Sequence, residues 1–405
     1  MHKNKIDKVV AYKKHRIFNG LVLFLALLAV FYYVYLEVRP ELGFSGGPQD
    51  IYNKDYSENK IPEKDESVFV ATHISTPDSV KAIYMTSWVA GTKDFRDRVI
   101  KIIDETEVNA VVIDIKDYTG RIAFKTEDPL LQKYGASENR IPDVREFIKY
   151  LHDKNIYVIG RISVFQDPHM VTQRPDLAVK RKSDGNVWKD YKGISWLEVG
   201  SQEVWDYVVA LAKESYNTGF DELNFDYIRF PSDGNMQDIT YAFYDSASST
   251  KAETLRDFFS YLYKNLSDVR KDGATLSADL FGMITTNKDD LNIGQVLEFA
   301  EPYFDYIAPM VYPSHYPAGF QGYANPASEP YGVVKFSMGR AVERLVLAST
   351  TPSKLRPWLQ DFDLGAVYDA NMVRAQMQAV YDVGLDSWML WDPKNIYTRG
   401  ALLDE

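Results

Sequence analysis

Two hydrophobic periods share the chain from about residue 79 onward. Short runs place apolar residues at every second position, the mark of a strand with unlike faces. Longer runs between them place apolar residues three and four apart, the mark of a helix with one buried stripe. The strand-like runs are Val80–Thr86, Ala110–Lys116, Ile156–Ser163, Phe220–Asp226, Ala274–Phe281, Phe304–Val311, Leu355–Gln360 and Asp386–Trp391. The helical runs are Lys93–Glu107, Asp143–Lys154, Gln202–Asn217, Lys251–Lys271, Ile293–Phe304, Tyr331–Leu347 and Val367–Val383. Each helical run can return the chain to the start of a parallel neighbour. Eight strands separated by seven helices predict an α/β fold, a (β/α)8 TIM barrel over residues 79–405, with a short last helix because only Pro393–Glu405 remain. A doubly wound open sheet is the alternative, but no Gly-rich phosphate loop follows the first strand.

The polar phase of these strands carries the functional signal. In a barrel, one strand face meets the helices and the other fills the lumen. Val111, Ile113 and Ile115 oppose Asp114 and Lys116, and Arg161 shares a face with Tyr157 and Ser163. Leu223 and Phe225 oppose Glu222, Asn224 and Asp226, while Leu276, Ala278 and Leu280 oppose Ser277, Asp279 and Phe281. Arg356, Trp358 and Gln360 oppose Leu355, Pro357 and Leu359. The expected design is aliphatic toward the helices and polar or aromatic toward the centre. Its polar residues gather near the strand C-termini, where barrel enzymes perform chemistry.

Asp226 ends its strand in "FDELNFDYIRFP". A carboxylate in a barrel mouth costs several kcal/mol unless paired, and Arg161, Lys116 and Arg229 are the candidate partners. The bland reading is a structural ion pair; the sharper one is a catalytic acid. Asp279 ends the next strand, and parallel neighbours lie about 4.8 Å apart. Two inward carboxylates at matched height approach the separation of a glycosidase pair, and their repulsion raises one pKa. Asp114, Glu222 and Asp392 are reserves for the second carboxylate, with Glu222 deeper and suited to a lumen cation, and Asp392 equally readable as a turn residue. Trp88, Tyr312, Trp358 and Trp391 fall at or just after strand C-termini. Singly each reads as core; together they suit stacking on sugar rings. Lys116, Arg161, Asn224, Arg229 and Gln360 complete a candidate substrate-binding set. The long loop Phe165–Gly200, with Trp188, Tyr191 and Trp196, is a natural cover for that end.

Composition removes other chemistries. The 405-residue chain has no cysteine, so it has neither a disulfide framework nor a thiolate nucleophile. Its six histidines form no HExxH pair, and no GxSxG elbow, P-loop or GxGxxG opens a helix. Carboxylate acid–base chemistry remains, needing no metal or organic cofactor. Net charge is −11, which argues against nucleic acid as a partner. Nothing in the sequence reports an oligomeric state.

The N-terminus differs from the rest. Residues 1–16 carry six Lys or Arg against Asp7, and Ile17–Leu36 then runs twenty positions without a charge. Such a helix spans roughly 30 Å, a bilayer's hydrocarbon thickness, and the basic flank keeps the N-terminus cytoplasmic. The expectation is a basic tail at 1–16, an uncleaved signal anchor at 17–38, and a Pro-, Gly- and Ser-rich extracytoplasmic stalk at 39–78. A cleaved signal peptide is the competing reading.

Eight blocks in order carry a family likeness: "VKAIYMTSWVAG", "VVIDIKDYTGRI", "IGRISVFQDP", "FDELNFDYIRFP", "LSADLFG", "APMVYPSHY", "LRPWLQDF" and "SWMLWDPKN". Together they resemble a bacterial glycoside hydrolase family first catalogued as a domain of unknown function, over about residues 79–400. The resemblance implies a TIM barrel related to the α-amylase and α-galactosidase clans, whose nucleophile is an Asp ending the fourth strand; Asp226 matches it. Those clans place a Glu acid/base after the fifth strand, where this chain offers Asp279. That departure leaves the second carboxylate, and the retaining outcome, open. The resulting expectation is a membrane-anchored extracytoplasmic glycoside hydrolase acting on an envelope or extracellular polysaccharide. The alternatives are a non-catalytic polysaccharide-binding barrel scaffold, or a lyase or transglycosylase using the same carboxylates.

Overall fold

Eight parallel strands close on themselves: β1 Lys81–Met85, β2 Ala110–Lys116, β3 Tyr157–Ser163, β4 Glu222–Asp226, β5 Thr275–Phe281, β6 Tyr306–Met310, β7 Trp358–Gln360 and β8 Trp388–Trp391. The ring follows chain order, and β8 pairs with β1 to complete it. The structure, a computed structural model, describes residues 69–404. Among the described residues, six helices of ten or more residues surround the strands: α1 Lys93–Asp104, α2 Val144–Asp153, α3 Gln202–Thr218, α4 Lys251–Asn265, α5 Pro330–Leu347 and α6 Ala370–Tyr381. The (β/α)8 barrel expected from the two periods is the observed fold.

The predicted helix at 293–304 is a difference. Only Leu297–Ala300 is α-helical there, followed by a 3-10 turn at Glu301–Tyr303. Asn292 and Gly294 adopt positive φ (59° and 86°), and Pro302 lacks the amide a longer helix needs. Apolar spacing alone mistook this turn for a helix. After β8, the described residues hold one 3-10 turn, Arg399–Ala401, in place of an eighth α-helix.

Side chains sort by strand face into two clusters. Ile83, Val111, Ile113, Val158, Leu223, Phe225, Leu276, Ala278 and Leu359 join the helices in the larger one. The lumen holds Ala82, Tyr84, Val112, Tyr157, Ile159, Ala308, Trp358 and Met389. Polar residues interrupt that inner packing in tiers. Lowest is Glu222, bonded by Arg356 Nη1 at 2.9 Å and by the Tyr157 hydroxyl at 3.2 Å. Above it, Asn224 Nδ2 donates to Ser277 Oγ at 3.0 Å. Asp114 and Arg161 stand level with Asn224, and highest are Asp226 and Asp279, to which the Arg161 guanidinium reaches up.

Residues before 79 also belong to the folded unit, which begins at Phe69. The Ile74 amide donates to Asp221 Oδ1 (2.9 Å), and Thr76 Oγ1 meets both the Tyr157 hydroxyl (2.9 Å) and Thr275 Oγ1 (3.1 Å). The end of the expected stalk thus covers the strand N-termini beside the Glu222–Arg356 pair. The basic tail, the anchor at 17–38 and the rest of the stalk lie outside the described residues. Among the described residues, no helix is long and apolar enough to cross a membrane.

Candidate active site

The local sequence ends β4 sharply. Asp226 is the last strand residue, and Tyr227 follows at φ 53°, a conformation that costs a bulky side chain energy. The Tyr227 amide turns back onto Asp226 Oδ1 at 2.5 Å. This kink stops the ladder and leaves the Asp226 carboxylate at the rim instead of beneath another turn of strand.

Register then places the second acid. Phe225 stands level with Ala278, so Asp226 and Asp279, each one residue further, share a height on neighbouring strands. Arg161 on β3 reaches both: its Nε lies 3.1 Å from Asp226 Oδ2 and 3.8 Å from Asp279 Oδ2. Those two oxygens are therefore no more than about 7 Å apart, an upper bound that does not exceed the span of glycosidase carboxyl pairs. The remaining Arg161 nitrogens bond Asp226 Oδ2 (Nη2, 2.5 Å) and Asp114 Oδ1 (Nη1, 2.7 Å).

Environment separates the two acids. Asp279 Oδ1 accepts from Trp358 Nε1 at 2.7 Å and Asn224 Nδ2 at 2.9 Å. Burial, and then the nearby Asp226 charge, hold the Asp279 carboxyl well above the usual carboxylate range. Burial likewise raises Asp114, against the pull of Arg161; the Tyr84 hydroxyl donates to its other oxygen at 2.5 Å. Burial opposes the charge of Arg161, but Asp226 and Asp114 outweigh it and push its pKa well up.

A cavity of about 360 Å³ opens over these groups at the strand C-termini, lined by Arg161, Lys192, Asp226, Tyr227, Arg229, Asp279, Phe281, Met310, Tyr312, His315, Trp358 and Trp391. Seven of the sequence candidates are in that lining: Asp226, Asp279, Arg161, Arg229, Tyr312, Trp358 and Trp391. Asp114 and Asn224 sit just beneath, each bonded to a lining residue. Trp391 stacks on Tyr84 (3.9 Å) and lies edge-on to Trp358 (5.5 Å). Trp358 is 1% exposed, so its indole orients Asp279 more than it offers a stacking face.

Four candidates lie elsewhere. Lys116 does not face the lumen: the β2–β3 register jumps from Asp114↔Arg161 to Lys116↔Ile162, leaving Ile115 as an extra residue. This bulge reverses the facing of Lys116. Its ammonium pairs with Asp167 (2.5 Å) over the Tyr207 ring of α3. Trp88 sits on the helical turn Ser87–Ala90, 58% exposed, with Arg140 over its ring, and does not line the cavity. Gln360 is fully buried; its side chain accepts from the Ser314 amide and donates to the Phe362 carbonyl, tying loops together. Asp392 accepts the amides of Lys394 and Ile396, as a turn residue does. Sequence reasoning missed Tyr227, Lys192, His315, Met310 and Phe281 as lining residues. Phe281 and Met310 had a signal, their inward phase at the ends of β5 and β6; the others lie on loops.

A family model described as "putative glycosyl hydrolase domain" matches residues 82–397. The chain belongs to that family. The match runs from the first barrel strand past the last and so includes every cavity-lining residue. A hypothetical protein from Ruminiclostridium thermocellum is 31% identical over 52% of this chain and 98% of its own, with a TM-score of 0.43. The PgaB (BpsB) glycoside hydrolase domain of Bordetella bronchiseptica is 14% identical over 81% of this chain and 99% of its own, at TM-score 0.58. α-L-Fucosidase isoenzyme 2 of Paenibacillus thiaminolyticus is 12% identical over 82% of this chain and 48% of its own, at TM-score 0.52. At such identities the last two establish likeness of fold alone. A search of curated proteins returns no match to this chain.

Proposed function

We propose that the family's barrel in this chain is a glycoside hydrolase working by two carboxylates, with Asp226 as nucleophile and Asp279 as acid/base. One observation carries the reading: two acids of equal height share Arg161 at one cavity floor, and burial beside Asp226 favours the protonated form of Asp279. Asp226, oriented by Arg161 and the Tyr227 amide, attacks the anomeric carbon. Asp279, oriented by Asn224 and Trp358, gives its proton to the leaving oxygen and then activates water, so the anomeric configuration is retained. Tyr312 and Trp391 offer rings to the sugar. The substrate on this reading is an envelope or extracellular polysaccharide, and the apolar segment at 17–38 anchors the enzyme to the membrane with the barrel outside. The carboxyl separation favours hydrolysis over a purely binding barrel, which needs no such pair.

The test incubates full-length protein and its Asp226→Asn variant with a polysaccharide panel, measuring new reducing ends. Turnover by the wild type and its loss in the variant are expected; turnover at an unchanged rate in the variant removes Asp226 from the mechanism. Carbonate-resistant membrane retention tests the anchor, and release as a shortened soluble chain overturns it.

A further inference from the structure

The cavity carries more positive charge than its two carboxylates use. Arg161 is committed to Asp114 and Asp226. Arg229 is not committed to any acid. Its Nη1 donates to the Phe230 carbonyl (3.1 Å) and Ser232 Oγ (2.9 Å), and its guanidinium lies over the rings of Trp196 (4.8 Å) and Tyr227 (5.6 Å). Among the described residues no carboxylate comes within ion-pair distance of it, and its Nε and Nη2 make no hydrogen bond. Burial holds its pKa below the usual arginine value, against the opposing pull of Tyr227, Asp233, Asp226 and Asp190 nearby.

Lys192 enters the same cavity from the long loop, also without an ion pair among the described residues. The acid nearest it in sequence, Asp190, forms no ion pair with it among the described residues and is held in place by neutral donors, which do not cancel its charge. Its Oδ1 accepts the amides of Lys192 and Ile194, and its Oδ2 accepts Trp196 Nε1 and Gln166 Nε2. Across the cavity, burial and then the Lys192 charge lower the pKa of His315, so its imidazole is neutral at neutral pH. A chain of net charge −11 thus lines one cavity with two cations that have no direct ion-pair partner among the described residues.

We propose that this cavity takes a glycan bearing an anionic substituent, a carboxylate or a phosphate, which Arg229 binds through its free Nε–Nη2 edge and Lys192 through its ammonium. The edge matches two anionic oxygens side by side, whereas Lys192 supplies a point charge. The proposal rests on the reading of the cavity as a glycan site.

Calorimetry on the full-length protein tests it with matched probes: oligouronates against the same oligomers reduced to alcohols, and glycan phosphates against their dephosphorylated forms. Each arm identifies one source of the anion. The anionic member of at least one pair is expected to bind about 10- to 100-fold more tightly, with the preference shrinking as salt is raised. Arg229→Gln is expected to abolish the preference, and Arg229→Lys to keep part of it. Equal or weaker binding of the anionic members, binding of neither member of any pair, or a preference surviving Arg229→Gln overturns the proposal. If Arg229→Gln does not fold, Lys192→Gln and the salt series decide: a preference indifferent to both overturns it. Anionic binding without Asp226-dependent cleavage refutes the hydrolase reading and leaves this one standing. Asp226-dependent cleavage of neutral glycans only does the reverse.

Discussion

Arg161→Met removes the one cation that three lumen acids share. The wild-type arginine holds Asp226 at 2.5 Å and Asp114 at 2.7 Å, with Asp279 at 3.8 Å, all at least nine-tenths buried. Removing one partner of a buried pair costs about 3–5 kcal/mol, because the other charge is left without compensation. Here two close pairs break together, so the loss at neutral pH belongs at the upper end of that range. Methionine keeps the aliphatic volume, which confines the change to charge. The pH dependence is the sharper signature. Without the guanidinium, the folded-state pKa values of Asp114 and Asp279, already held above their unfolded values of about 4 by burial, rise further. A carboxyl raised on folding contributes stability that is complete below its unfolded pKa and is lost as pH rises through its folded one. The wild-type–variant difference should therefore be small near pH 4 and widen toward pH 7, the window set by values of about 4 unfolded and higher folded. Urea unfolding followed by tryptophan fluorescence at a series of pH values measures it. A difference below about 1 kcal/mol that does not vary with pH would refute the view of Arg161 as the charge holding the cavity floor together.

Lys116→Met should destabilise the fold by about 3–5 kcal/mol by stranding the buried Asp167, yet leave turnover per folded molecule intact, since Lys116 faces the helix layer; paired unfolding and rate measurements check both halves. Glu198 is pushed up to about 7 by burial, with one oxygen lacking any partner, so its share of stability is lost as pH rises through about 7. Glu198→Gln should match the wild type near pH 4 and exceed it by up to about 3 kcal/mol above about pH 8, as read by thermal melts. If Asp279 is the proton donor, the alkaline limb of the rate profile should lie above the ordinary carboxylate range, because the raised group must keep its proton. Asp279→Asn should lower turnover by about 10²- to 10⁴-fold and erase that limb.

Strand order and facing were legible because the period of two is a local property: a residue's face follows from its neighbours along the strand. Leu223 and Phe225 against Asn224 and Asp226 announce a two-faced strand without any partner in view. The same rule explains the failure at Lys116. One extra residue at Ile115 shifts the phase, and that bulge exists only as a mismatch with β3. Gly160 on β3 marks the crowding there, since a Cβ on it would fall 2.2 Å from Ile115 Cδ1.

The chain by itself determined that eight two-faced strands carry their acids, arginines and indoles to one rim, because alternation and strand length are written residue by residue. Only the closed barrel decided which of them meet. It set Asp279 level with Asp226, aimed the Trp358 indole at Asp279, and buried Gln360 and Asp392 among loops. It also brought Lys192 from more than thirty residues upstream in sequence to stand with Arg229. Burial and charge proximity are properties of the assembled neighbourhood, so the raised pKa of Asp279 and the lowered one of Arg229 arise only when distant segments exclude water from the same small volume.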